Sequence, residues 1–129
     1  MQNTILNLTQ HQATQDQLDA GVYEPSIEVK ERIKALLTFD SSVLTDPALI
    51  RNHVAELVQL VKDEGAYSVM LGGAPFFMGP LANALTKAGV EVVFSFTDRV
   101  AVDQVNEDGT ITKTSIFKHL GFVPHIYVR

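Results

Sequence analysis

A few polar groups placed at the ends of apolar runs are the features of this sequence that could move a proton or hold a phosphate. The stretch Asn7-Leu8-Thr9-Gln10-His11 closes the run TILNL and delivers an amide, a hydroxyl and an imidazole within five residues. Imidazole titrates nearest to neutrality, so His11 could serve as a general acid or base, and it or an ordered Thr9 could orient a phosphodiester. Gly72-Gly73-Ala74-Pro75 follows a second apolar run, YSVML. A glycine turn after a buried strand lets backbone N–H groups and a helix start approach phosphate oxygens. Arg99 follows a third run, VVFSFTD, where a guanidinium could reach the same phosphate, with Lys113 and Lys118 adding charge. Each feature also has a plain structural reading: loop polarity, a tight turn, and solvated hairpin charges.

Other chemistries lack support. The glycine turn is neither GxGxxG nor a P-loop, and no GK[ST] follows it. There is no Cys, which excludes disulfide scaffolds, zinc–cysteine sites and thiol catalysis. HExxH, DxDxDG and GxSxG are absent, and Asp98 and Asp103 have no matching ligand set, so no metal is expected. His53 lies between Ile50 and Leu57 on an apolar stripe and reads as a satisfied, partly buried residue. His119 and His125 read as loop residues near the end of the chain. Phe76, Phe77 and Met78 read as core or interface residues rather than as a base-stacking platform.

These groups must be positioned by alternating strands and helices. TILNL predicts a strand followed by a polar loop. Thr14 with Gln17 is a capping box opening a short helix that stops near Gly21. Tyr23-Glu24-Pro25-Ser26 breaks the pattern, and Ser26 caps a helix to about Leu37. Asp46-Pro47 starts a longer helix in which Ile50, Val54, Leu57 and Val61 share one face, ended by Gly65. YSVML is a buried strand, a helix is expected after Gly79-Pro80 with an end at Gly89, and VEVVFSF is another buried strand. Strand, glycine turn, helix and strand make a βαβ unit, hence a partly parallel sheet. Val100–Val105 and Thr110–Phe117 alternate around Asn106-Glu107-Asp108-Gly109, predicting an antiparallel edge hairpin. The expected architecture is a single Rossmann-like three-layer α/β domain over residues 1–129, its sheet mostly parallel with a C-terminal antiparallel hairpin.

The chain has 129 residues, 46% of them apolar and 19% charged, with a net charge of −5. That suits one globular domain able to bury a core without staples. Residues 1–64 hold 10 acids and 5 bases, while residues 65–129 hold 5 of each, so the charge deficit lies in the first half. Long nucleic acid, which needs an extended basic surface, is not an expected partner. No apolar run approaches the roughly 20 residues that span a bilayer, and no signal-peptide pattern opens the chain, which predicts no membrane association and a cytoplasmic location.

The segment from Asn7 to Gln17 resembles the strand-one signature of small CRISPR-associated-Rossmann-like ring nucleases, approximately N-F-S-H-x-L-T-x-x-Q, with Thr9 in place of Ser and Gln10 inserted before His11. Nearly the whole chain is also similar to short phage- and prophage-encoded proteins with an NLTQHxAT opening, a GGAPF turn and an F-[KR]-H-[LI]-G-F segment, here Phe117 to Phe122. The first resemblance implies a homodimer that binds a cyclic oligonucleotide second messenger of antiviral defence, such as cyclic oligoadenylate. It further implies cleavage without a metal, the ribose 2′-OH attacking the adjacent phosphorus to leave a 2′,3′-cyclic phosphate. On this sequence His11 and Thr9 match the motif, His11 as general acid or phosphate ligand. Arg99 would stabilise developing charge. Gly72, Gly73 and Ala74 would hold phosphate, with Asn7, Gln10, Phe76, Lys118 and His119 as further substrate contacts and His119 in reserve for His11. Two other expectations stand beside this one: a non-catalytic nucleotide-sequestering protein with the same pocket, and a phage accessory protein whose Phe76, Phe77 and Met78 form a protein interface.

Overall fold

A computed structural model describes residues 3–126. The elements run β1 (Ile5–Leu8), α1 (Gln15–Asp19), β2 (Val22–Tyr23), α2 (Ile27–Leu36), a 3-10 turn (Ser41–Leu44), α3 (Ala48–Glu64), β3 (Ser68–Leu71), α4 (Pro75–Lys87), β4 (Glu91–Val105) and β5 (Ile111–Pro124). They form one five-stranded sheet in the order β2-β1-β3-β4-β5. The pairs β1–β2, β1–β3 and β3–β4 are parallel, and β4–β5 is antiparallel. This is the expected Rossmann-like α/β architecture.

Side-chain alternation along the strands sends two apolar sets to opposite faces of the sheet. Leu6, Leu8, Val69, Leu71 and Val92 join Ile33 and Leu36 of α2, Leu57 and Val61 of α3, and Phe77, Leu81 and Leu85 of α4 in the main core. Val22, Met70 and Val93 make a smaller cluster with Ile5, Ala13 and Phe122. The chain winds from β1 to β2 in one direction and from β3 to β4 in the other, so β1 and β3 flank the point where winding reverses. Open α/β sheets bind ligands at this point, beyond the carboxyl ends of the strands.

Local signals account for most element ends. Thr14 accepts from the Gln17 amide while Gln17 Oε1 accepts from the Thr14 amide, completing the predicted box. Ser26 caps α2 through the Val29 amide, and Gly65 ends α3 at a φ of 69°.

Three expectations are corrected. The segment expected to be a break contains the two-residue strand β2, which Ile5 and Leu6 recruit by parallel pairing. Helix α4 begins at Pro75, its N1 position, and carries Gly79 and Pro80 inside. Phe77, Leu81 and Leu85 recur four apart and are wholly buried, so the added turn brings Phe77 into the core, which offsets the amide that Pro80 lacks. The strand starting at Glu91 continues through Asp98 and Arg99 to Val105, because β5 pairs with it from Val93 onward with one register irregularity between Phe96 and Thr97. The hairpin is therefore the outer half of two long strands.

Candidate functional site

The polar loop after β1 is held from below by residues that do not face the ligand space. Asn7, wholly buried, points its Oδ1 at the Thr9 amide (3.1 Å) and hydroxyl (2.7 Å). Its Nδ2 donates to the His11 carbonyl (2.8 Å) and to Glu24. Lys30, 4% exposed, donates to the carbonyls of Thr9 (3.1 Å) and His11 (2.7 Å) and pairs with Glu24 at 3.3 Å. Glu24 also accepts from the Ala13 amide (3.1 Å). Two ammonium protons of Lys30 thus have carbonyl acceptors and its charge is paired with the Glu24 carboxylate, the condition under which a buried charge is tolerated. Asn7, Glu24 and Lys30 together fix residues 9–13 as a rigid wall.

That wall faces the turn after β3. Between them lies a cavity of about 500 Å³ lined by Thr9, Gln10, His11, Gln12, Thr14, Gln17, Met70, Leu71, Gly72, Gly73, Phe94 and Ser95. It sits where the winding of the sheet reverses. Gly72 allows the close approach, since a Cβ there would stand 3.3 Å from Thr9 Cγ2, and Gly73 makes room for α4, since a Cβ there would stand 3.0 Å from Met78 Cε. Ser95 closes the β4 side. Its Oγ lies 3.3 Å from Gln17 Nε2, 3.0 Å from Thr97 Oγ1 and 2.5 Å from His119 Nδ1. His119 stacks at a tilt on Phe122, and its Nε2 is buried without a partner.

Sequence-selected residues separate cleanly around this cavity. His11, Thr9, Gln10, Gly72 and Gly73 line it, and Ala74 follows as the N-cap of α4. His11 is exposed, so its ring is open to a ligand. The Thr9 hydroxyl donates to Asn7, and Gln10 donates to Thr38 Oγ1 at 2.7 Å, so both shape the wall. Asn7 supports the loop from beneath and does not contact the cavity. His119 reaches it through Ser95. Arg99 does not line it: it lies beyond the body of the sheet opposite Phe117, its guanidinium 5.1 Å from that ring. Lys118 faces Asp98 across the same two strands, also away from the cavity. The expected strand end that would have aimed both cations at a phosphate does not exist. Phe76 packs edge-on against Phe39 outside the cavity.

His53 is satisfied, as expected, with Nδ1 2.7 Å from the Leu36 carbonyl and its ring stacked on Phe39. His125 Nε2 lies 3.0 Å from Asn83 Oδ1. Sequence reasoning missed Glu24, Lys30, Ser95 and Gln17. Signals for two of the four were present: Lys30 stands three residues from both Ile27 and Ile33 in α2, and Ser95 interrupts the apolar run VVFSF.

A family model described as the Uncharacterized protein MJ1673 family matches residues 3–123. The chain belongs to the MJ1673 family. The matched span takes in the β1 loop, the glycine turn and nearly all of the β4–β5 ribbon of this MJ1673-family chain. No curated protein and no solved structure matches it. None of the helices among its described residues is long and apolar enough to cross a membrane.

Proposed function

We propose that this MJ1673-family chain binds a cyclic oligonucleotide in the cavity between the β1 loop and the β3 turn and cleaves it without a metal, as a cytoplasmic homodimer acting on second messengers of antiviral defence. The observation that carries this reading is the convergence of His11 with the Gly72–Gly73 backbone on one cavity at the reversal of winding. The similarity of the Asn7–Gln17 segment to ring-nuclease signatures supplies the substrate class. A phosphate would sit on the amides of the glycine turn at the start of α4, where backbone N–H groups carry partial positive charge. The amides of Gln12 and Gln17 offer donors and acceptors for base edges. The ribose 2′-hydroxyl gives its proton to water as its oxygen attacks the adjacent phosphorus, the bond from phosphorus to the 5′-oxygen breaks, and protonated His11 gives its proton to that leaving oxygen. The products are a 2′,3′-cyclic phosphate and a 5′-hydroxyl. Positioning by the rigid wall supplies most of the acceleration in such a scheme. Arg99 has no part in it.

A second reading, capture without cleavage, is favoured by a specific observation. No Lys or Arg lines the cavity among the described residues, and the Thr9 hydroxyl is engaged by Asn7. Incubation of the purified chain with cyclic di-, tri-, tetra- and hexanucleotides in EDTA, with products resolved by mass spectrometry, tests both. Linear products ending in 2′,3′-cyclic phosphate, lost in His11→Ala, are expected. Intact rings that co-purify with the chain establish capture, and intact rings without binding overturn the ligand class.

A further inference from the structure

Three polar side chains converge on Ser95 at the edge of the cavity, and the protons they carry decide what its hydroxyl can do. A serine hydroxyl has one proton to give and two lone pairs. Gln17 takes the first lone pair: its Oε1 is committed to the Thr14 amide at 3.0 Å, which turns its Nε2 toward Ser95 Oγ at 3.3 Å. His119 takes the second. Its Nδ1 lies 2.5 Å from the same oxygen, and its Nε2 is buried without a partner. A proton on Nε2 would be an orphaned buried N–H, the rarer of the two defects, whereas a proton on Nδ1 goes straight to Ser95. The ring is therefore the Nδ1–H tautomer, and Ser95 Oγ accepts from two sides. Its own proton faces Thr97 Oγ1 at 3.0 Å, and Thr97 is exposed and can turn to water instead.

We propose that Ser95 is an obligate hydrogen-bond donor that gives its proton to an anionic phosphate oxygen in the cavity, with His119 as the positioning residue that holds it so. The chemistry of the wall selects an anion. The chain has 15 Asp plus Glu, yet no carboxylate lines this cavity among the described residues. The Gly73 and Ala74 amides make no hydrogen bond among the described residues, so the turn after β3 also presents donors. Such neutral donors can hold an anionic oxygen without a cation, because a hydrogen bond to a charged acceptor is about twice as strong as one between neutral groups. This contact rests on the phosphate chemistry proposed for the cavity and adds to the glycine turn a further donor on the β4 side. The tautomer of His119 is set by the chain alone and is readable without a ligand.

Nitrogen-15 NMR of the histidine-labelled chain at about pH 8.5, above the range where an unperturbed imidazole titrates, reads that tautomer directly. His119 should carry its proton on Nδ1, and a proton on Nε2 overturns the proposal. Amide-shift titrations with inorganic phosphate, and with cyclic oligoadenylates of two, three, four and six residues, then measure binding. Ser95→Ala should weaken it about tenfold or more. His119→Leu should weaken it about fivefold, and His119→Asn, whose amide can keep a donor toward Ser95, should recover most of that loss, a rescue that a merely space-filling role would not produce. Rings that need Ser95 while free phosphate does not bind place the accepting oxygen on a phosphodiester. Free phosphate that needs Ser95 while no ring binds ends the ring reading and keeps the role of Ser95. Rings held equally by the parent and Ser95→Ala keep the ring reading and overturn this inference, and binding of neither probe overturns both.

Discussion

Replacing Lys30 by Met tests whether the β1 loop is a pinned wall. The ammonium satisfies the Thr9 carbonyl, shares the His11 carbonyl with Asn7 and pairs with Glu24. Removing one partner of a fully buried ion pair costs about 3–5 kcal/mol, because the survivor keeps an uncompensated charge. The Glu24 side chain is 24% exposed and retains Asn7 and the Ala13 amide, while the Thr9 carbonyl loses its donor. These offsets bring the expected loss to about 2–3 kcal/mol, a large part of the stability of a domain this size. Glu24→Gln removes the stranded charge, so the double variant Lys30→Met/Glu24→Gln should lose only about 1 kcal/mol relative to the parent. Urea unfolding followed by circular dichroism measures all three chains, and hydrogen exchange at residues 9–13 should accelerate selectively in the single Lys30 variant. A loss below about 0.5 kcal/mol, or costs that add without coupling, would refute the argument.

Further outcomes follow from other particular contacts. Gly72→Ala brings a methyl group to 3.3 Å from Thr9 Cγ2 against a pinned loop and should cost about 1 kcal/mol in urea unfolding, with a larger proportional loss of ligand affinity in calorimetry. Burial, and then the Glu64 carboxylate, hold the Tyr23 phenol above its usual pKa of 10.0. The unfolded chain then gives up that proton first, so stability falls as pH rises past about 10, and Tyr23→Phe should flatten the fall when urea midpoints at about pH 9 and about pH 11 are compared. The Thr110 hydroxyl, and then its amide, hold the Asp108 carboxyl below the ordinary carboxylate range. Its contribution is present above the unfolded carboxylate pKa and is lost as pH falls through the lower folded value. Asp108→Asn should therefore remove the acid-side shift of the Thr110 amide resonance.

The sequence made visible whatever depends on local chemistry. The Thr14–Gln17 box, the Ser26 cap, the Gly65 stop and the antiparallel hairpin are decided within a few residues, and the structure shows them where expected. The glycine turn and His11 were legible as neighbours because both follow apolar runs that pair in a parallel sheet. What stayed hidden depends on distant partners. β2 is a strand because Ile5 and Leu6 pair with it, and Arg99 stands away from the cavity because β5 carries β4 past its expected end. Lys30 stands out as a charge on an apolar stripe, but that it meets Glu24 beneath the β1 loop is set by the tertiary fold alone.

The sheet also sets two clocks for folding. Ile5 must find Ser68 and Val69 must find Val92, each across an intervening helix or more, so the parallel core waits on long loop closures. Val105 meets Ile111 across a short turn closed by the Asn106–Thr110 pair, and each further rung of the β4–β5 ribbon is a short extension from there. During refolding the β4–β5 ribbon can zip before the body has assembled, holding its exposed Val105, Ile111 and Phe117 in water while the core is still open. Off-pathway association at high chain concentration should therefore begin at the ribbon, and Phe117→Asp should suppress it while leaving the refolding rate of the body unchanged.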